Sequence, residues 1–271
     1  MFRIMKIIPS VLTGILLFTS IAEAQTDIAK FRFNEKKKIA AGTVLHYVKT
    51  NIDGTKPEQV SQYIAGSDTL ESFKFHPKES PAGFVVAQMD WESFSAKSLR
   101  SWQIFPAERK FFGSILFDYK TRKAEVSIPA LKKDSEFVEL KYFPVHLYNF
   151  DFGSLNFAFP HLAEPKKDFV IGVADPTFQE TGALVEYKGE VTVSYLGEEK
   201  RNNVRTRKYK IDGAGLKNRG GFIWVNKKQN WIEDMEIQLP DNPEWTSFKF
   251  KLLKTERMNR ADWEKFIAAQ F

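Results

Sequence analysis

The chain contains no cysteine among its 271 residues. That excludes disulfides, thiolate metal sites and a lipid anchor attached to a cysteine behind an export signal. A chain without such staples must be held by packing alone, which its length permits, because the buried fraction of a domain rises with size. Histidine is nearly as scarce. His46, His76, His146 and His161 stand singly, with no pair at the three- or four-residue spacing of helical metal ligands. There is no Gly-x-Ser-x-Gly nucleophile turn, and neither Gly213-Ala214-Gly215 nor Gly220-Gly221 is followed by the Lys-Ser/Thr of a phosphate loop. These glycines read as strand-to-strand turns. No metal and no cofactor is implied. No nucleic-acid-binding signature is present, so no nucleic-acid partner is expected.

Long apolar runs are absent after the N-terminus. The first residues carry Arg3 and Lys6, then an apolar stretch from Ile7 to Ile21, then Ala22-Glu23-Ala24 ahead of Gln25. A basic end, an apolar middle and small residues at a cut are the three parts of a secretory signal peptide. Residues 1–24 are therefore expected to be removed on export, leaving 25–271 periplasmic or secreted and without a membrane-spanning helix. The formal charge of the whole chain is +6. This mild excess fits a mixed, solvated surface, with local clusters at Lys36-Lys37-Lys38, Lys132-Lys133 and Arg201 to Lys210. Such clusters would draw an anionic partner, a membrane surface or an acidic polymer.

What is abundant is phenylalanine, 25 residues of it, set in period-two alternation that marks half-buried strands. Val44, His46 and Val48 share one side of a strand, with Leu45 and Tyr47 on the other. Phe73 and Phe75 flank Lys74; Ile115, Phe117 and Tyr119 alternate with Leu116 and Asp118. Val191 to Tyr195, Arg205 to Ile211, Phe222 to Val225, Trp231 to Leu239 and Phe248 to Leu252 continue the pattern. Gly197 to Asn203 reads as a turn. Short polar turns between successive strands favour antiparallel pairing. The expected fold is mainly β: a large curved antiparallel sheet or partly closed barrel with one or two short helices packed on it. One helix is expected at 151–159, capped by Asp151 and stopped by Pro160. The other follows Asn259, with Ala261, Trp263, Phe266 and Ile267 on one face. Residues 25–271 read as a single β-rich domain, with two possible halves at about 25–160 and 168–271, divided by the proline-bearing stretch from Pro160 to Pro176.

Rings on alternating strands either fill a core or line an apolar cavity. In the second case Phe73, Phe75, Phe117, Trp224, Phe248 and Phe250 are the candidate ligand-binding residues. Two acid pairs lie beside tryptophan: Asp90 and Glu92 around Trp91, expected to share a strand face, and Asp241 and Glu244 next to Trp245. Paired carboxylates are the equipment of glycoside hydrolysis.

The segment from Gly189 to Pro240 has a distinctive order. A Val-Thr-Val strand is followed by Tyr209-Lys210-Ile211, a glycine-rich loop, Phe222-Ile223-Trp224-Val225, a polar turn, and an apolar strand closing on Leu239-Pro240. Together with the strand from Gly42 to Tyr47 it resembles a family of uncharacterised bacterial periplasmic β-proteins, themselves similar to the curved-sheet lipoprotein carriers of the LolA/LolB type. The resemblance implies an apolar face wrapped around acyl chains and supplies no catalytic residues. The missing cysteine excludes the anchored form. Three functions follow. The first is a non-enzymatic periplasmic binder of an apolar or amphipathic ligand such as a lipid. The others are an envelope structural or assembly factor meeting a protein partner, and a glycan-acting hydrolase.

Overall fold

The computed structural model describes residues 29–131, 135–177, 181–240 and 245–271. The expected export signal, Lys132-Lys133 and the Asp241–Glu244 pair lie outside the described residues. Eight strands make the first half: β1 (Thr43–Thr50), β2 (Glu58–Ile64), β3 (Thr69–Phe75), β4 (Ala82–Asp90), β5 (Ser95–Ile104), β6 (Arg109–Asp118), β7 (Lys123–Ser127) and β8 (Glu136–Glu139). Then come β9 (Val145–Leu147) and helix α1 (Gly153–Ala158). The second half is β10 (Phe169–Pro176), β11 (Val185–Arg201), β12 (Val204–Asp212), β13 (Gly221–Asn226), β14 (Ile232–Ile237), β15 (Phe248–Arg257) and helix α2 (Arg260–Ala268).

All fifteen strands join one sheet in the order β8-β7-β6-β5-β4-β3-β2-β1-β15-β14-β13-β12-β11-β10-β9. Every pairing is antiparallel except β9 with β10. The sheet is curved and does not close into a barrel. Its edges are β8 and β9, and the carboxylate of Glu136 reaches the second half by accepting from the Leu184 backbone N–H at 2.8 Å.

The curvature gives an inner face, which packs on α1, and an outer face. Leu45 and Tyr47 point inward with Phe250, Ile223 and Met235, packing on Leu155 and Phe159. Ala87, Leu99, Ile115, Phe117 and Val126 continue the inner face onto Phe157 and Ala158. Residues one position out of phase face outward. Val44, Tyr63, Phe73, Phe75 and Phe84 are covered there by Trp263 and Ile267 of α2. The alternation read from the sequence is thus real. It separates two buried faces where the two helices lie, because each helix shields a different side.

α2 begins as expected, the Asn259 Oδ1 accepting from the Asp262 N–H at 2.9 Å. Its Trp263 ring is buried and its Nε1 donates to Glu71 at 2.7 Å. α1 departs from expectation. Asp151 does not cap it; the residue at the cap position is Phe152, with φ 50° and no side-chain capping bond. Asp151 is itself left-handed at φ 52° and fully buried. Its carboxylate meets Lys74 Nζ at 2.7 Å and Lys49 Nζ at 3.3 Å. A carboxylate out of water requires counter-charge more than a short helix requires a cap. Pro160 ends the α-helix, yet the chain continues as a 3-10 turn over Phe159–His161.

The proline-bearing stretch from Pro160 to Pro176 is buried at its two ends, while residues 163–168 run along the surface. Residues 150–162 are buried throughout, Leu162 bridges to Phe31, and Phe169–Pro176 forms the strand β10. β11 runs to Arg201, with a register shift between Tyr195 and Gly197 absorbed where Gly197 has φ 135°, so the turn is confined to Asn202-Asn203. Asp90 and Glu92 do not share a strand face. β4 ends at Asp90, whose carboxylate accepts from the N–H groups of Glu92 (3.3 Å) and Ser93 (3.2 Å) to close a turn.

Two substitutions probe this frame by urea denaturation. Asp151→Ala removes the carboxylate shared by half-buried Lys74 and buried Lys49, leaving Lys49 the longer contact to Glu58 at 3.6 Å, and is expected to lower stability by about 3 kcal/mol. Trp263→Ala opens a cavity beneath α2 and is expected to cost about 3–5 kcal/mol, leaving Glu71 without its indole donor.

Candidate functional site

A partly open cavity of about 320 Å³ lies on the inner face of the first half. Val85, Leu99, Ile115 and Val126, one from each of β4 to β7, form an apolar floor. Leu147, Phe150 and Pro176, from β9, the turn before α1 and the end of β10, form the opposite wall. The polar groups on the lining are Lys74, Ser101, Gln103, Ser114 and Asn149. No aspartate, glutamate or histidine lines it.

Local backbone features make the space. The β5–β6 register shifts between Ser101 and Trp102, leaving Phe112 as the extra residue, and its ring lines the cavity. Gly113 lets β6 approach the end of β7, since a Cβ there would lie 2.7 Å from the Ser127 carbonyl oxygen. Lys74 is fixed at the rim, donating to the Asn149 carbonyl at 2.7 Å as well as to Asp151. Its charge faces the Asp151 carboxylate, so the lining presents apolar surface with Lys74, Gln103 and Asn149 toward one end and the Ser101 and Ser114 hydroxyls along β5 and β6. Such an arrangement holds an apolar chain and orients a polar terminus; it offers no nucleophile–base pair.

The six candidate rings are distributed over both faces. Phe117, Phe248 and Phe250 are on the inner face, Phe117 in the first half and the other two in the second. Phe73 and Phe75 are on the outer face, stacked on each other at 4.7 Å beneath α2. Trp224 faces outward too, its Nε1 donating to Glu199 at 2.6 Å and its ring 4.0 Å from the Arg201 guanidinium. None of the six is among the residues lining the cavity. Those that do line it, such as Val85, Leu99 and Ile115, gave no signal beyond ordinary strand alternation. The signal that would have helped is Gly83, Gly113 and the Phe111-Phe112 doublet, which interrupt that alternation.

The histidines do not converge. His46 sits between Ser61 Oγ (2.9 Å) and Glu256 (2.6 Å). His146 Nδ1 lies 2.8 Å from Ser154 Oγ, a serine–histidine pair sealed from solvent with both residues buried. Burial pushes His146 down to about 3. His161, buried and accepting from the Asn34 N–H at 3.2 Å, is pushed by burial to about 4.

No family model and no curated protein matches the chain. Among solved structures it is similar to the crystal structure of a domain from Vibrio parahaemolyticus, provisionally named as an outer membrane lipoprotein-sorting protein domain. Sequence identity is 7%, covering 86% of this chain and 94% of that one, with a TM-score of 0.24. The likeness is distant. No helix of the described residues is long and apolar enough to cross a membrane.

Two of the three buried histidines, His146 and His161, generate a strong pH dependence. Each takes a proton near pH 6.5 when unfolded but only at much lower pH when folded. Their contribution is therefore intact above pH 6.5 and lost as pH falls through the interval down to about 4 for His161 and about 3 for His146, at roughly 1.4 kcal/mol per unit per histidine. Urea denaturation at pH 7.5 and pH 5 should show a stability loss on the order of 2 kcal/mol for each of these residues. His146→Gln should remove its share of that slope.

Proposed function

We propose that this protein is a non-enzymatic binder of an apolar or amphipathic ligand, a lipid or a similar small molecule, held in the inner-face cavity. The observation that carries the reading is the cavity itself. Its walls are aliphatic and aromatic, Lys74, Gln103 and Asn149 lie toward one end, and its volume falls in the range of about 300–1,000 Å³ typical of small-ligand sites. A chain seated along Val85, Leu99 and Ile115 would run toward Phe117 on the same face, with its polar end near Lys74, Gln103 and Asn149. The reading places the protein outside the cytoplasm, as the signal-like residues 1–24 suggest. The lining's lack of carboxylates and histidines supports binding over hydrolysis.

The test is uptake of a fluorescent fatty-acid probe by protein stripped of bound lipid under denaturing conditions and refolded. Saturable uptake is expected. Leu99→Trp and Ile115→Trp, which fill the cavity, should each weaken it about tenfold, as about 1.4 kcal/mol of lost contact would. Leu196→Ser, on an exposed outer position, should leave it unchanged. Absence of saturable uptake in the refolded native sequence sinks the reading, and so does equal uptake by the filled variants.

A further inference from the structure

A second cleft, of about 480 Å³, lies elsewhere on the sheet and plays no part in the function proposed above. It is bounded by residues 36–40, the turn between β13 and β14, and the end of β15. β1 begins at the cleft with Thr43, paired to Arg257, whereas Lys74 of the inner cavity aligns through Val60 with Tyr47, four residues further along β1.

The cleft is strongly and one-sidedly charged. Lys36, Lys37, Lys38, Lys228 and Arg257 line it, against the single carboxylate of Glu256. That carboxylate is already engaged, 2.6 Å from His46 and 2.9 Å from Lys254 Nζ. Lys38 pairs with Glu35. Among the described residues, Lys36, Lys37 and Lys228 have no ion-pair partner. Arg257 is fixed in place, its Nη1 donating to Thr43 Oγ1 at 3.0 Å and to the Ala40 carbonyl at 3.3 Å. Three exposed ammonium groups and an anchored guanidinium around one concavity repel each other. The arrangement is relieved by an anion, because field lines of one sign are focused into a low-dielectric hollow.

We infer that this cleft binds a multiply charged phosphate-bearing group. Ammonium groups act as point charges suited to tetrahedral oxyanions, and an anchored arginine adds directed donors. The hollow has room for more than one phosphate. A soluble polyphosphorylated compound and the headgroups of an anionic lipid share this chemistry.

Isothermal titration at low salt with inorganic tripolyphosphate tests the inference, alongside co-sedimentation with phosphatidylcholine vesicles with and without phosphatidylglycerol. Saturable binding of tripolyphosphate is expected. The variant Lys36→Ala/Lys37→Ala/Lys228→Ala should weaken it at least about tenfold, as loss of charge-assisted hydrogen bonds implies. The variant Lys120→Ala/Lys123→Ala, which removes charge from the β6–β7 turn, should retain it. Circular dichroism and the urea midpoint check that both variants fold. Vesicle binding that needs phosphatidylglycerol and is lost in the cleft variant supports the inference with a lipid source; tripolyphosphate binding alone supports it with a soluble one. No saturable binding of either probe overturns it, as does equal weakening by the β6–β7 variant.

Discussion

The structure depends on one buried amide. Asn156, on α1, donates through Nδ2 to the Tyr47 hydroxyl at 2.9 Å and to Gln62 Oε1 at 2.8 Å, while its Oδ1 accepts from the Ile232 backbone N–H at 2.8 Å. Tyr47 in turn donates to the Ile232 carbonyl at 2.9 Å. A six-residue helix cannot support itself, and a long curved sheet cannot leave its inner face bare. One side chain ties the helix to β1, β2 and the first residue of β14, across the seam where the two halves meet. Burial of these polar groups is tolerable because they satisfy one another, and their directionality sets where α1 sits. The Asp151–Lys74–Lys49 cluster does the same at the helix's other end, and the cavity wall at Asn149 and Phe150 follows from it.

Much of the sheet was legible in the alternation of apolar and polar residues. β1, β3, β12 and β14 face the way their sequences imply, and the Asn259 cap of α2 is where it reads. β2 was invisible because its sequence, Glu-Gln-Val-Ser-Gln-Tyr-Ile, puts Ser61 and Gln62 where apolar residues are normally expected. Those polar groups are internal because His46 and Asn156 meet them. β10 was hidden by the opposite cause, a continuous apolar run between prolines, which is how a strand covered on both faces looks.

The site was harder to read than the fold for a physical reason. Period two separates the faces of a sheet but says nothing about which is inside. Here Phe73 and Phe75 are buried, as Phe248 and Phe250 are, since α2 covers the first pair and α1 the second. Ring content alone therefore marks core on both sides. The cavity arises instead where covering is incomplete, over β4 to β7, and where a register shift and close strand approach leave space. The lysine cluster at residues 36–38, by contrast, was visible as charge. What the chain could not display linearly is that Lys228 and Arg257 join it through the β1–β15 pairing and the β13–β14 turn.

That β1–β15 pairing also orders the assembly of the molecule. Within β1 to β8 and within β10 to β15, each strand pairs with its sequence neighbour, so both meanders grow by local hairpins. The register Thr43↔Arg257 joins positions from opposite ends of the described chain. Strand pairing at such separation is entropically slow, because its loop must close before the contacts form. A chain emerging from its N-terminus would hold a complete first meander with an uncovered inner face, waiting for α1 and then for the last strand. The interval before closure is when this protein is most exposed to aggregation, and a holding chaperone would find its apolar surface there.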